Sequence, residues 1–239
     1  MKLSVIIPAY NAEKIIGSTL ESVRDYLSKQ PYDWEILVVN DGSKDKTAEV
    51  VENLKAQIPN LRLIDNKENQ GKGWVVRQGM MEAKGEWRLF MDDDNSTTIN
   101  HLDRFWAEVE RGNDIVIASI AAKGARIAKV EKFYKRLLGK LGNLWIQFWV
   151  LPGIWDTQRG FKLFSARAAT TIFPKLTIKR WGFDVEVLAL ARKLGFKIKE
   201  VPIDWRNEGV SRVKPTAYLQ VLWEVLKIRW NLWVNRYKL

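Results

Sequence analysis

The sequence contains no cysteine, so it offers neither a disulfide framework nor a thiolate, and an intracellular setting is favoured. No uncharged run of about 18 residues occurs, so no membrane span is expected. Met1-Lys2 leads straight into Leu3-Ser4-Val5-Ile6-Ile7-Pro8, an apolar stretch too short for a signal peptide. No Gly-x-Gly-x-x-Gly turn follows that stretch, which disfavours a dinucleotide-dependent dehydrogenase. The single histidine, His101, follows Asn100 at the start of a helical pattern and is expected at the surface or as a cap. Acidic residues are outnumbered: 39 Lys and Arg against 28 Asp and Glu leave a charge of +11. That excess implies an anionic partner, whether nucleic acid, anionic lipid or a phosphorylated substrate. Twelve tryptophans, which favour half-wet, half-apolar surfaces, tilt the choice towards a membrane surface.

At 239 residues the chain can form one large domain or one domain with a small appendage. Apolar runs alternate with helical patterns from the start. Strands are expected at Leu3 to Ile7, Glu35 to Asn40, Leu61 to Asp65, Glu86 to Asp92 and Asp114 to Ser119. Helices are expected over Ile15 to Leu27, Asp45 to Ile58, Gly73 to Ala83 and Ile99 to Arg111. Ile36-Leu37-Val38-Val39 is apolar throughout, as in a strand covered on both faces. The alternation specifies an α/β fold with a mostly parallel, doubly wound sheet. Further strands are expected at Asp156 to Ser165 and Lys197 to Trp205, with a helix over Gly182 to Leu194.

The fourth strand ends in Asp92-Asp93-Asp94, at the carboxyl end where an open α/β sheet places its ligand. Three adjacent carboxylates repel, so a cation is expected among them. Mg²⁺ or Mn²⁺ carrying a phosphorylated substrate suits hard oxygen ligands. A solvated acidic turn capping the next helix is the rival explanation.

After Ile120, Lys123, Arg126, Lys129, Lys132, Lys135, Arg136 and Lys140 have only Glu131 as an acidic neighbour. This basic arm runs into the apolar, Trp-rich segment from Leu144 to Trp155. Basic and aromatic residues side by side point to docking on a lipid headgroup layer. In the last segment, Ala217 to Leu239, Gln220, Glu224, Lys227, Asn231, Asn235 and Lys238 recur every three or four positions. They form one narrow polar stripe on an amphipathic helix whose wide apolar face is expected to pack on the domain and contact a membrane interface, with dimerisation as the alternative.

Several motifs occur in one order: Pro8-Ala9-Tyr10-Asn11, Val39-Asn40-Asp41-Gly42-Ser43, Asn69-Gln70-Gly71-Lys72-Gly73 and Asp92-Asp93-Asp94. In this the chain resembles the family 2 glycosyltransferases of GT-A fold, inverting enzymes that use nucleotide-sugars. Asp156-Thr157-Gln158-Arg159-Gly160-Phe161, Arg180-Trp181-Gly182-Phe183-Asp184-Val185-Glu186 and Glu200-Val201-Pro202-Ile203-Asp204-Trp205 look like its dolichyl-phosphate glucosyltransferase branch. The resemblance implies a catalytic domain over 1–215, with a nucleotide-sugar half at 1–120 and an acceptor half at 121–215, followed by the helix at 216–239. It assigns the metal motif to Asp92 and Asp94, with Asp93 beside the sugar or ribose. Pro8, Ala9, Tyr10, Asn11 and Glu13 line the nucleotide pocket, Asp41 binds the base beside Gly42, and Lys72 approaches a phosphate or the sugar.

Ser96 stands where mannose-phosphate synthases carry Gln, which leaves UDP-glucose ahead of GDP-mannose as donor. Asn95 replaces a small residue of the family pattern. The acceptor implied is dolichyl or polyprenyl phosphate, at the cytosolic face of a membrane to which the chain binds peripherally. A lipid monophosphate, with a second pKa of about 6, attacks without a general base. It needs cations, for which Arg126, Lys129, Lys135, Arg159 and Arg212 are candidates. A sugar-hydroxyl acceptor would instead require a carboxylate base, for which Asp156 and Asp184 are candidates; either could equally orient an arginine or cap a helix. A basic nucleic-acid-binding protein is the rival outside enzymes. The basic residues, however, cluster beside Trp-rich apolar sequence and do not alternate with stacking aromatics, so no nucleic acid is expected.

Overall fold

The structure, a computed structural model, describes residues 1–127, 133–205 and 215–239, without the side chains of 133–137 and 215–216. Strands β1 (Leu3–Ala9), β2 (Trp34–Asp41), β3 (Leu61–Asn66) and β4 (Trp87–Met91) alternate with helices α1 (Ile16–Leu27), α2 (Thr47–Leu54) and α3 (Lys72–Glu82). Then come α4 (Leu102–Glu110), β5 (Ile115–Ser119), β6 (Arg126–Ile127) and α5 (Phe133–Trp149). The chain continues with β7 (Phe161–Ser165), α6 (Ala166–Ile172), α7 (Phe183–Lys193), β8 (Ile198–Pro202), β9 (Asp204–Trp205) and α8 (Pro215–Trp233). No helix among the described residues is long and apolar enough to cross a membrane.

Seven strands form the main sheet in the order β3-β2-β1-β4-β7-β5-β8. All pairings are parallel except those of β7, which runs antiparallel to both β4 and β5. β1 is apolar on both faces because both are covered: Val5 and Ile7 face one core with α1, α2 and α4, and Ile6 faces the other with α3, α6 and α7. Chain direction across the sheet reverses at β1, flanked by β2 and β4, so a crevice opens beyond their carboxyl ends.

Three expectations need correction. The strand expected from Asp156 starts only at Phe161, because the preceding residues turn Asp156 inward, where its Oδ2 accepts from Ile120 N at 2.9 Å. The strand expected over Lys197 to Trp205 is two strands: β8 pairs with β5, while β9 pairs with β6 in a separate small sheet. His101 stands at the N-cap position of α4, as expected of a cap, but it is not on the surface and its side chain makes no capping hydrogen bond. Its side chain is buried, and Nε2 accepts from Asp204 N at 2.9 Å. That leaves the proton on Nδ1, 3.0 Å from Thr98 O, so the ring joins two loops.

Helix α8 forms but ends at Trp233, so Asn235 and Lys238 lie beyond it, and its stripe is split, with Lys227 left exposed. Glu224 and Asn231 are buried with Val225 and Ile228, while Leu219, Trp223, Trp230 and Trp233 are exposed. Helix α5 packs beside it, with Trp145 Nε1 donating to Leu222 O at 3.3 Å, and exposes Leu141, Leu144 and Phe148. The two helices thus both expose apolar and aromatic side chains, with Lys140, Lys227 and Arg229 exposed on the same helices.

Candidate active site

The crevice is walled by the tips of β1, β2 and β4 and by the turn before α3. At the end of β1, Asn11 adopts a left-handed conformation (φ 48°) that an asparagine tolerates. Its N–H donates to Ser43 Oγ at 2.9 Å and its Oδ1 accepts from Lys44 N at 2.9 Å, tying the first strand's exit to the second's. Glu13 Oε2 accepts from Lys46 N at 3.1 Å in the same seam. Pro8 and Ala9 are buried in β1, whereas Tyr10 is exposed at the rim.

Asp41 closes β2 and is almost fully buried. Its carboxylate accepts from Gln70 N at 2.7 Å, Gly71 N at 3.1 Å and Asn69 Nδ2 at 2.9 Å. Burial pushes its carboxyl above the usual range despite those donors and the nearby Arg180. Asp41 therefore shapes the turn that launches α3. Gly42 must be glycine: its φ is +67° and a Cβ would lie 2.5 Å from Glu68 backbone.

At the strand tip, Asp92 Oδ1 lies 2.6 Å from Lys72 Nζ, the first residue of α3. That oxygen is buried and has no hydrogen-bond partner among the described residues, so the ion pair is what compensates its burial there. Burial opposes the Lys72 charge, but Asp92 and Asp184 outweigh it and hold the ammonium above its ordinary pKa. The Lys72 ammonium also lies 5.4 Å from the Phe90 ring and 5.9 Å from the Trp181 ring. Asp94 is exposed and its Oδ1 accepts from Ser96 N at 2.9 Å. Asp93 gives its carbonyl to Thr19 Oγ1 at 2.8 Å. Asn95 has φ +52°, which explains the departure from a small residue: the turn after the acidic triplet is left-handed, and asparagine accepts that conformation readily.

Two features escaped the sequence reading. Lys162 is fully buried in β7, and its Nζ donates to Asp184 Oδ1 at 2.6 Å and to Arg159 O. A lysine inside the apolar run Phe161 to Phe164 was the available signal, since a buried charge demands a partner. Burial raises the Asp184 carboxyl above its usual range, against the pull of Lys162 and Lys72. Gly160 is the second: a Cβ there would fall 2.0 Å from the Asp92 carboxylate. A side chain at 160 would force the Asp92 carboxylate out of its present position.

Of the acceptor candidates, Arg159 reaches the site's edge. Its Nε donates to Asp156 Oδ2 at 3.2 Å, and its guanidinium stacks 4.7 Å from the Trp205 ring. Arg126 is exposed on β6. Lys129, Arg212 and the Lys135 side chain lie outside the described residues. Among the described residues no three His, Asp or Glu side chains converge as a metal cage. What the strand tip offers is a carboxylate paired with a lysine, Asp92 with Lys72, and an exposed second carboxylate, Asp94.

A family model described as glycosyl transferase family 2 matches residues 4–173. The chain is 34% identical over 235 residues to a protein of Trichomonas vaginalis named dolichyl-phosphate beta-glucosyltransferase, a match covering 95% of this chain and 72% of that one. A human protein of the same name is 33% identical over 246 residues, covering 95% and 75%. Among solved structures, glucosyl-3-phosphoglycerate synthase of Mycobacterium tuberculosis, in complex with Mn²⁺, UDP-glucose and phosphoglyceric acid, superposes with a TM-score of 0.69. That match, at 18% identity, covers 95% of this chain and 79% of the other, and establishes the fold.

Proposed function

The chain belongs to glycosyl transferase family 2, and on that premise we propose that it transfers glucose from UDP-glucose to a dolichyl or polyprenyl phosphate at a membrane surface. The observation that carries this reading is the Asp92–Lys72 pair at a strand tip, its carboxylate packed on Gly160, in a chain whose relatives are named dolichyl-phosphate beta-glucosyltransferase. The fold is the GT-A type expected from the motifs.

The uridine nucleotide lies between the exit of β1, from Pro8 to Asn11 with Glu13 behind it, and the Asp41–Gly42 corner. Mg²⁺ or Mn²⁺ would be held by Asp92 and Asp94, with donor phosphates supplying further ligands. When bound, such an ion neutralises the negative charge that grows on the departing diphosphate. Lys72, anchored at the start of α3, adds a second positive charge to that leaving group. Asp93 faces the sugar or ribose.

An acceptor phosphate is already largely ionised near neutral pH and needs no proton removed. What it needs is a cation, and Arg159, stiffened by Asp156 and Trp205, is the described arginine that fits. Asp156 is committed to Arg159 and Ile120 N, and Asp184 to Lys162, so both serve better as positioning residues than as general bases. Arg126, Lys129, Lys135 and Arg212 extend the cationic approach for the phosphate. The exposed aromatic face of α5 and α8 seats the chain peripherally on an anionic bilayer, on the cytosolic side. Residues 1–120 supply most of the donor site, 121–215 most of the acceptor site, and 216–239 the lipid-side helix.

The test is a donor comparison with purified protein, Mn²⁺ and a short polyprenyl phosphate, reading glycolipid by mass. UDP-glucose is expected to give hexosyl-phosphate lipid and GDP-mannose little or none; a preference for GDP-mannose would refute the donor assignment.

A further inference from the structure

Residues 176–182 form a loop wedged between the turn that launches α3 and the inward face of α8. On the donor side, Lys179 O accepts from Trp74 N at 3.1 Å. The fit is too close for side chains: a Cβ on Gly71 would lie 2.6 Å from Lys179 O, and one on Gly73 would lie 2.6 Å from Phe183 Cβ. Trp181 faces the Lys72 ammonium and Arg180 acts on Asp41. The loop is thus the outer wall against which Lys72 and the Gly71 turn are set.

On the other side the same loop is gripped by α8 and the tail that follows it. Gly182 N donates to Glu224 Oε2 at 2.7 Å, and Asn231 Nδ2 donates to Thr177 Oγ1 at 3.2 Å. Glu186, fully buried, accepts from Thr177 N, Ile178 N and Tyr237 Oη. A carboxylate taken out of water on a helix whose tryptophans are left in it is the reverse of what solubility favours, so the buried stripe needs another reason. Two of its partners supply one: Gly182 N and Thr177 Oγ1 belong to the loop that walls the donor site, while Gln220 Nε2 and Tyr237 Oη complete the stripe's hydrogen bonds.

We propose that Glu224 is a positioning residue of the donor site, holding Gly182 from α8 so that residues 178–181 keep Lys72 and the Gly71 turn aimed at the diphosphate. The inference rests on the donor reading above and adds to it that the lipid-side helix shapes the nucleotide-side wall. Lys72 carries four rotatable bonds, and only the packing around it selects the conformer that reaches Asp92.

The experiment measures UDP affinity in the presence of Mn²⁺ by calorimetry, and kcat and KM for UDP-glucose with polyprenyl phosphate, for Glu224→Ala, Glu224→Gln and Gly182→Ala. Glu224→Ala is expected to raise the UDP Kd and the UDP-glucose KM about tenfold, the scale of one charged hydrogen bond, with kcat changed less. Glu224→Gln keeps an oxygen for Gly182 N and should restore both to within about threefold of wild type. Gly182→Ala places a Cβ 2.6 Å from Glu224 Oε2, so the contact must shift, and it should reproduce the defect with the sequence of α8 unchanged. A Glu224→Ala variant with lower Tm but unchanged Kd and KM overturns the positioning role, as does a Gln variant no better than Ala. A wild-type chain that binds no uridine nucleotide overturns the donor reading itself, and this inference with it.

Discussion

Lys72 Nζ and Asp92 Oδ1 lie 2.6 Å apart, so the charge that quiets the acidic strand tip comes from the protein itself. The pairing makes Lys72 a competitor for any cation that Asp92 would bind before the donor arrives. Replacing it with Met should therefore tighten Mn²⁺ binding in the nucleotide-free chain, read by electron paramagnetic resonance. Turnover should nonetheless fall by about 100-fold or more, because the leaving diphosphate loses a fixed positive charge. Unchanged or weaker Mn²⁺ binding by Lys72→Met would show that the lysine does not hold the ligand back.

Gly160→Ala tests whether Asp92 needs the space it has. The added Cβ would sit 2.0 Å from the Asp92 carboxylate, so the carboxylate must rotate or the strand must shift. Overpacking of this kind costs about 1–3 kcal/mol, and Tm should drop by about 2–4 °C for each kcal/mol. Turnover should fall at least about tenfold, the cost of displacing a group that stabilises transition-state charge. Wild-type kcat in a variant of normal Tm would mean that Asp92 is not held where we place it.

Glu35 yields a pH prediction. Its burial works to raise the carboxyl pKa, but Ser4 Oγ at 2.6 Å, Lys84 N at 2.8 Å and Arg62 Nη1 at 2.9 Å outweigh it and hold the group below its ordinary value. A carboxyl depressed in the folded state contributes stability above its unfolded pKa and loses it as pH falls through the folded one. Glu35→Gln should thus be less stable by about 1–3 kcal/mol at pH 7. The gap should narrow below about pH 4, as the wild-type carboxyl takes up its proton. A gap of constant size across that range contradicts the assignment.

The face made by α5 and α8 predicts lipid binding. Phe148 is 78% exposed and Trp233 is 73% exposed, values expected of side chains that meet another phase. Changing Trp223, Trp230 and Trp233 together to Ser should lower co-sedimentation with phosphatidylglycerol vesicles at least about tenfold, given the apolar area removed. Equal sedimentation of variant and wild type would remove α8 from the docking surface.

Much of this architecture is legible in the sequence because β1, β2, β4 and β5 are covered on both faces and read as unbroken apolar runs. The acidic tip was legible for the same reason, since such a strand can only present its charges at its end. Lys162 was not, because its partner Asp184 lies 22 residues on and only the antiparallel insertion of β7 brings the two together. Periodicity located α8 but not its orientation: one polar stripe ordinarily meets water, and here Gly182 N and Thr177 draw Glu224 and Asn231 inward. His101 shows the same limit, its partner Asp204 being 103 residues away.

The most direct test of the central claim compares two acceptors that differ by one group. Wild-type protein, Mn²⁺ and labelled UDP-glucose are incubated with a polyprenyl phosphate or with the free alcohol of the same chain length. The account predicts glucosyl-phosphate lipid from the first and no product from the second, because Asp156 and Asp184, the two candidate bases, are already paired with Arg159 and Lys162. Transfer to the alcohol at a comparable rate would contradict it.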